Sequence, residues 1–289
     1  MPTGDVRSMS GFRRSFEALM LAAGLCALPP ASEAAPLRVV SINLCTDQMA
    51  MLLAAPGQLL SVSHLARDPR SSAMAQQAEH WPLNHGGAEE VYLLRPDLVL
   101  AGSYTAGATV SMLERLGIPV AQFAPVTGLD DMRAHLTRMG EVLGREEQAT
   151  ALLAEFEAGL ATLHDPAATR PRAALYFPNG YTLGGNTLGG EILEAAGFAN
   201  VAAELGLTRG GVIPLELLAL AAPDAVLTSQ PYPGGSRSED IMAHPVVAAL
   251  RAQMPMAAVT DADWVCGTPH VLRAMEDTAR LRRALEDTE

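Results

Sequence analysis

The sequence predicts an α/β protein of two lobes, each built on a mostly parallel sheet, joined by a single long α-helix. Three observations predict it. Short β-prone runs alternate with helical patterns in both halves of the chain, as in parallel sheets covered on both faces. A central stretch has no strand signal and reads as helix throughout. An acidic helix start followed at a fixed distance by Pro-Asp and a buried strand occurs once in each half.

The elements follow in order. Leu37–Ile42 is a β-prone run, followed by the polar loop Asn43–Asp47 and a helical pattern over Gln48–Ala55. Leu59–Ser63, Asp97–Ala101 and Pro119–Phe123 read as further strands, with a helix over Thr109–Leu116 before the last of them. From Leu129 to Leu163 the only breakers are Gly140 and Gly144. Beyond Gly144, Leu152, Leu153, Phe156, Leu160 and Leu163 recur at helical spacing, which predicts a helix over Arg145–His164. At about 1.5 Å per residue it would be about 30 Å long, enough to act as a strut between two lobes. Asp165-Pro166 ends it. Strands then resume at Ala173–Phe177, Ala225–Thr228 and Ala257–Thr260, with helices over Gly190–Ala196, Pro245–Gln253 and Pro269–Leu285.

The two halves match each other. Glu89 stands seven residues before Pro96-Asp97, and Glu216 seven residues before Pro223-Asp224; a strand follows at once in both cases. The physical content is an acidic residue at a helix start, a turn set by proline, and a buried strand. The expected organisation is a leader over 1–35, a first lobe over 36–127, a helical linker over 128–168 and a second lobe over 169–289.

Composition narrows the function. The chain has 289 residues and a net charge of −12, and its basic residues are all arginine. Nucleic-acid binding needs basic patches that neutralise phosphates, so nucleic acid is not an expected partner. Arg13-Arg14, the apolar run Ala18–Leu28 and the small residues up to Ala35 form a cleavable export signal leading to the periplasm. Arg13-Arg14-Ser15-Phe16 also resembles the twin-arginine signature, so either export route fits. Cys26 is not expected to carry a lipid, because Leu25 occupies a position that needs a small residue.

Two cysteines remain in the mature chain, Cys45 and Cys266, each in a strand-end loop of a different half. Three outcomes are open: a disulfide tying the lobes, two thiols facing a soft metal, or two unrelated small buried residues. A receptor for a bare divalent ion would need a compact set of ligands, whereas the seven histidines are scattered. No Gly-x-Ser-x-Gly, His-Glu-x-x-His or P-loop lysine is present, so catalysis is not expected, nor is a cofactor.

At this point the sequence resembles the class III periplasmic binding proteins, which serve ABC importers of ferric siderophores, vitamin B12 and haem. The resemblance rests on Arg38–Ser41, the Glu89…Pro96-Asp97 and Glu216…Pro223-Asp224 units, Thr182–Gly185 with Gly189–Leu193, and Trp264–Pro269. It implies two Rossmann-like lobes with the ligand between them, most readily a ferric siderophore, with vitamin B12 or haem as alternatives. It also implies a monomer that docks on a permease dimer, with its ATPase subunits, through Glu89 and Glu216.

Ligands of open parallel sheets bind beyond the carboxyl ends of the strands. The candidates there are Asn43 and Cys45 after the first strand, His64 after the second and Tyr104 after the third. Tyr181 and Tyr232 lie in glycine-rich loops of the second half, and Trp264 precedes the last turn. Arg209 has the geometry to bind a carboxylate bidentately. His64 offers an imidazole to a metal or a carboxylate.

Overall fold

The computed structural model describes residues 38–163, 170–231, 233–259 and 261–286. The expected leader, the end of the linker with His164, and Tyr232 lie outside the described residues.

The first lobe runs β1 (Val39–Ser41), α1 (Leu44–Leu53), β2 (Leu59–Ser63), β3 (Leu83–Asn84), α2 (Ala88–Leu93), β4 (Leu98–Gly102), α3 (Gly107–Arg115) and β5 (Val120–Phe123). Its sheet is parallel throughout, in the order β3-β2-β1-β4-β5. One face packs on α1 through Met49, Ala50 and Leu53. The other packs Val40, Val99 and Ala101 against Val91 of α2 and Val110 and Leu113 of α3.

Two helices follow, α4 (Leu129–Leu143) and α5 (Glu146–Leu163). Gly144 separates them in a left-handed conformation at φ 65°, which favours glycine and lets the chain reverse in two residues. Leu136, Met139 and Leu143 of α4 are buried in the first lobe's core, and Ala149 of α5 joins them. About two turns further along α5, Phe156 is buried among Leu188, Ile192, Val271 and Met275, which belong to the second half of the chain. A single uninterrupted helix is therefore held in two cores.

The second lobe runs β6 (Arg172–Leu175), β7 (Tyr181–Thr182), α6 (Leu188–Ala195), β8 (Ala199–Asn200), α7 (Val201–Glu204), β9 (Gly211–Val212), α8 (Leu215–Ala221), β10 (Ala225–Ser229), α9 (Pro245–Gln253), β11 (Met256–Val259), α10 (Asp261–Trp264) and α11 (Val271–Glu286). Its main sheet is parallel, ordered β11-β10-β6-β8, with a small antiparallel pair β7-β9 beside it. The fold is thus α/β, with two parallel-sheet lobes bridged by a helix.

The matched units seen in the sequence have one structural job. In each lobe the strand after Pro-Asp pairs with that lobe's first strand, β4 with β1 and β10 with β6. Asp97 accepts the backbone N–H of Arg38 at 3.0 Å, and Asp224 accepts that of Arg172 at 2.7 Å. The two guanidinium groups then donate to the carbonyls that close the preceding helix, Leu94 and Arg95 in one lobe and Ala221 and Ala222 in the other. Arg95 and Ala222, each just before the proline, both have positive φ.

Candidate functional site

The carboxyl ends of the strands in the two lobes face each other, and two adjoining hollows lie between them. The smaller, about 160 Å³, is lined by Asn43, Cys45, Gly102, Tyr104 and Phe123 from the first lobe, by His135 of α4, and by Val265 and Gly267 from the second lobe. The larger, about 510 Å³, is lined by Thr127, Asn186, Thr187, Arg209 and Trp264. Val126 and Val265 line both. Gly267 makes this junction possible: a Cβ there would stand 2.2 Å from a methyl of Val126.

The sequence candidates divide between these hollows and elsewhere. Asn43 reaches the smaller one, but its side-chain oxygen is engaged as the cap of α1, accepting from the N–H groups of Cys45 at 3.0 Å and Thr46 at 3.3 Å. Cys45 and Cys266 are joined by a disulfide, with Cα atoms 5.2 Å apart, so a covalent link crosses from α1 to the loop before α11. Tyr104 projects from the loop after β4 and is 88% exposed, an aromatic surface with little to pack on. Arg209 and Trp264 come together in the larger hollow beside the first turn of α6. Arg209 is exposed and has no ion pair among the described residues.

Two candidates line neither hollow. Tyr181 lies on β7 with its ring against the backbone of Gly210. His64 stacks on His85 at the β2/β3 edge of the first lobe, with ring centroids 5.0 Å apart.

The walls also contain residues that the sequence did not single out. Phe123 at the end of β5 is flanked edge-to-face by His135 and lies under the Arg138 guanidinium at 4.6 Å. Burial pulls the His135 imidazole below its ordinary value. Glu191, in the Gly-Gly-Glu motif of α6, accepts the N–H of Leu129 at 2.7 Å and so caps α4 from the other lobe. Only the apolar character of Val126 and Val265 was visible in advance, and apolar loop residues carry no address for their partners. His85 follows a strand of two residues, too short to stand out.

Away from the hollows, Glu89 and Glu216 are exposed in the first turns of α2 and α8. Among the described residues no helix is long and apolar enough to cross a membrane.

Two parallel-sheet lobes, a helix rooted in both, and hollows at the facing strand ends define a bilobal binding protein of the helix-linked class. Comparison with known proteins places it further: residues 39–253 match the model of the family described as periplasmic binding protein, and the chain belongs to that family. It is 30% identical over 198 residues to a cobalamin-binding protein of Halobacterium salinarum, covering 67% of this chain and 54% of that one. The chain therefore spans about half the length of the archaeal relatives it matches. A vitamin B12-binding protein of Photorhabdus laumondii is 28% identical over 176 residues, 58% of this chain and 62% of its own. Among solved structures, the apo periplasmic heme-binding protein RhuT of Roseiflexus superposes with a TM-score of 0.68 at 22% identity, over 86% of this chain and 98% of that one. The vitamin B12-binding protein BtuF of Vibrio cholerae superposes at 0.60 and 17% identity, over 87% and 98%. At these identities the two superpositions speak for the fold.

Proposed function

We propose that this chain is the capture subunit of an ABC importer, working in the periplasm after removal of its leader. It takes a metal chelate, foremost a ferric siderophore, between its lobes and delivers it to a permease dimer powered by ATPase subunits. The observation that carries the ligand class is Arg209. A guanidinium with no acidic partner among the described residues, beside an indole and the first turn of α6, is an anion-holding group in a chain of net charge −12. Ferric chelates with carboxylate or hydroxamate donors commonly retain negative charge, which such a group meets with paired N–H donors.

A second reading, corrinoid capture, is favoured by the names of the relatives at 28–30% identity. Tryptophan quenching with a panel of ferric siderophores, ferric citrate, haem and cobalamin separates the two. Replacing Arg209 by Ala should weaken an anionic ferric chelate about tenfold, the effect of losing one charge-assisted contact worth about 1.4 kcal/mol, and leave cobalamin within about twofold. Tight binding of cobalamin alone would establish the second reading.

The docking assignment rests on repetition. Glu89 and Glu216 each begin a short helix whose exposed leucine lies one turn further on, Leu93 at 77% and Leu220 at 82% exposure. Each lobe thus offers an acidic group and an apolar side chain together, which suits a partner that presents two equivalent basic sites.

A further inference from the structure

The smaller hollow, about 160 Å³, is bounded largely by apolar side chains. Met49 and Phe123 line its inner side at 2% and 4% exposure, and Val265 faces it from the second lobe. Phe123 is fixed in place, because the Arg138 guanidinium covers its ring and His135 meets it edge-to-face. An apolar cavity of about 150 Å³ is enough to seat one benzene ring.

Two polar groups reach this space without partners of their own. Asn43 uses its side-chain oxygen to cap α1, and among the described residues its Nδ2 group has no hydrogen-bond partner. Gly102 makes room for that amide, since a Cβ there would stand 2.7 Å from Nδ2. The His135 ring likewise has no hydrogen bond among the described residues. Burial keeps it uncharged near neutral pH, so one ring nitrogen donates and the other accepts. Among the described residues no carboxylate and no guanidinium lines this hollow.

The charge lies across the sill. Val126 and Val265 line both hollows, whereas Arg209 lines the larger one. The cleft therefore has an uncharged end of ring size and a cationic end.

We propose that the smaller hollow is a subsite for one uncharged aromatic ring carrying a hydroxyl, a phenol, that projects from a ligand whose anionic part lies beside Arg209. The hydroxyl is the distinguishing group. Taking it out of water costs free energy unless a partner meets it, so a wholly apolar hollow would prefer toluene to phenol. Here the Asn43 amide donates to the hydroxyl oxygen, and the neutral imidazole of His135 accepts its proton. This inference rests on the chelate-capture reading and narrows it to chelates with a pendant phenolic arm.

Phenol itself is the probe, titrated into untagged protein with methyl-labelled methionines and followed by nuclear magnetic resonance. It should bind one site per chain in the millimolar range, about what seven heavy atoms reach. Nuclear Overhauser contacts from its ring should single out the Met49 methyl. Toluene has the same shape without the hydroxyl and should bind no more tightly. His135→Leu should move the phenol-to-toluene affinity ratio about threefold to tenfold towards toluene, the effect of one neutral hydrogen bond. His135→Gln, which keeps a donor and an acceptor, should restore most of it. Circular dichroism checks that each variant remains folded. Phenol contacts that miss Met49 overturn the proposal, as does a ratio that is the same in the parent and His135→Leu. If phenol seats against Met49 but no member of the chelate panel binds, the subsite stands and the capture reading fails. If a chelate binds and saturating phenol leaves its affinity unchanged, capture stands and the hollow is not part of its site.

Discussion

Arg172 and Asp224 exchange a pair of hydrogen bonds: the arginine N–H donates to the carboxylate at 2.7 Å, and the aspartate N–H donates to the arginine carbonyl at 2.7 Å. Arg38 and Asp97 repeat the exchange in the other lobe at 3.0 and 2.8 Å. The carboxylates are exposed, so each contact contributes about 1 kcal/mol rather than the larger value of a buried one. Asp97→Ala and Asp224→Ala should each lower stability by about that amount, and the double variant by about the sum, since the sites share no partners. Urea unfolding measures both; a loss confined to one lobe's variant would mean that the repeated geometry is not a repeated interaction.

These units were legible in the sequence because proline and aspartate act locally: each fixes a turn within a few residues of itself. The helix α5 was legible for the same reason, its apolar residues recurring at a period set by the helix alone. The contacts that build the site are of another kind. Val126 meets Gly267, and Cys45 meets Cys266, only because two separately folded sheets face each other. No local pattern encodes that, so the sequence supplied Cys45, Cys266, Arg209 and Trp264 as candidates but not their neighbours. The pair β7-β9 and the strand β3 were missed because two residues are too few for an alternating pattern.

Asp47 gives a test of the first lobe's interior. Fully buried in the first turn of α1, it accepts from the Ser63 hydroxyl at 2.5 Å and the Ser63 N–H at 3.1 Å. Burial outweighs these bonds and pushes its carboxyl up to about 6 from an ordinary 3.8. The folded chain therefore binds this proton more tightly than the unfolded one. The group's contribution to stability is full below about pH 4, declines as pH rises to 6, and leaves a deficit of about 3 kcal/mol above that. Asp47→Asn retains an acceptor for Ser63 and carries no charge. It should be more stable than the parent at pH 7.5 and should flatten the stability profile between pH 4 and 6. Parallel profiles for the two proteins would show that Asp47 keeps its charge at no cost.

Tyr104 and Trp264 test which hollow matters for capture. One lines the smaller and the other the larger. Truncation to Ala removes contact area worth about 1–3 kcal/mol in a packed complex, which is about tenfold to a hundredfold in affinity. Tyr104, being exposed, should change affinity with no loss of stability, whereas Trp264 also packs against the buried clusters that contain Phe198 and Val271 and should lower both. Unchanged affinity in both variants would move the ligand out of these hollows.

Glu89 and Glu216 should act on delivery alone. Charge reversal at both should abolish uptake into cells or proteoliposomes and leave ligand affinity within about threefold, because neither residue lines a hollow and exposed charges are screened over about 10 Å at ordinary salt. A collapse of affinity would instead tie these residues to capture.

The last prediction concerns how far the lobes move. Large hinge closures need a few backbone positions that absorb the rotation. Here α5 is one continuous helix, without interior proline, packed into the first lobe at Ala149 and into the second lobe's helices at Phe156. The disulfide adds a covalent tie, and two arginines add polar ones: Arg70 donates across to the carbonyls of Gln230 and Pro231, and Arg273 donates back to that of Ala73. A rotation that opened one side would have to break contacts on the other. Ligand should therefore lower the radius of gyration by less than about 1 Å, a small fraction of the value expected for a chain of this size. Small-angle scattering with and without saturating ligand reads this directly. The variant Cys45→Ser with Cys266→Ser separates the two restraints. It should lose about 2–5 kcal/mol of stability, the range for removing a link that closes a long loop, while its scattering change on ligand binding stays small because α5 still holds the lobes. A drop well above 1 Å in the parent protein would mean that the helix bends or its packing slides. The same drop confined to the double variant would assign the rigidity to the disulfide rather than to α5.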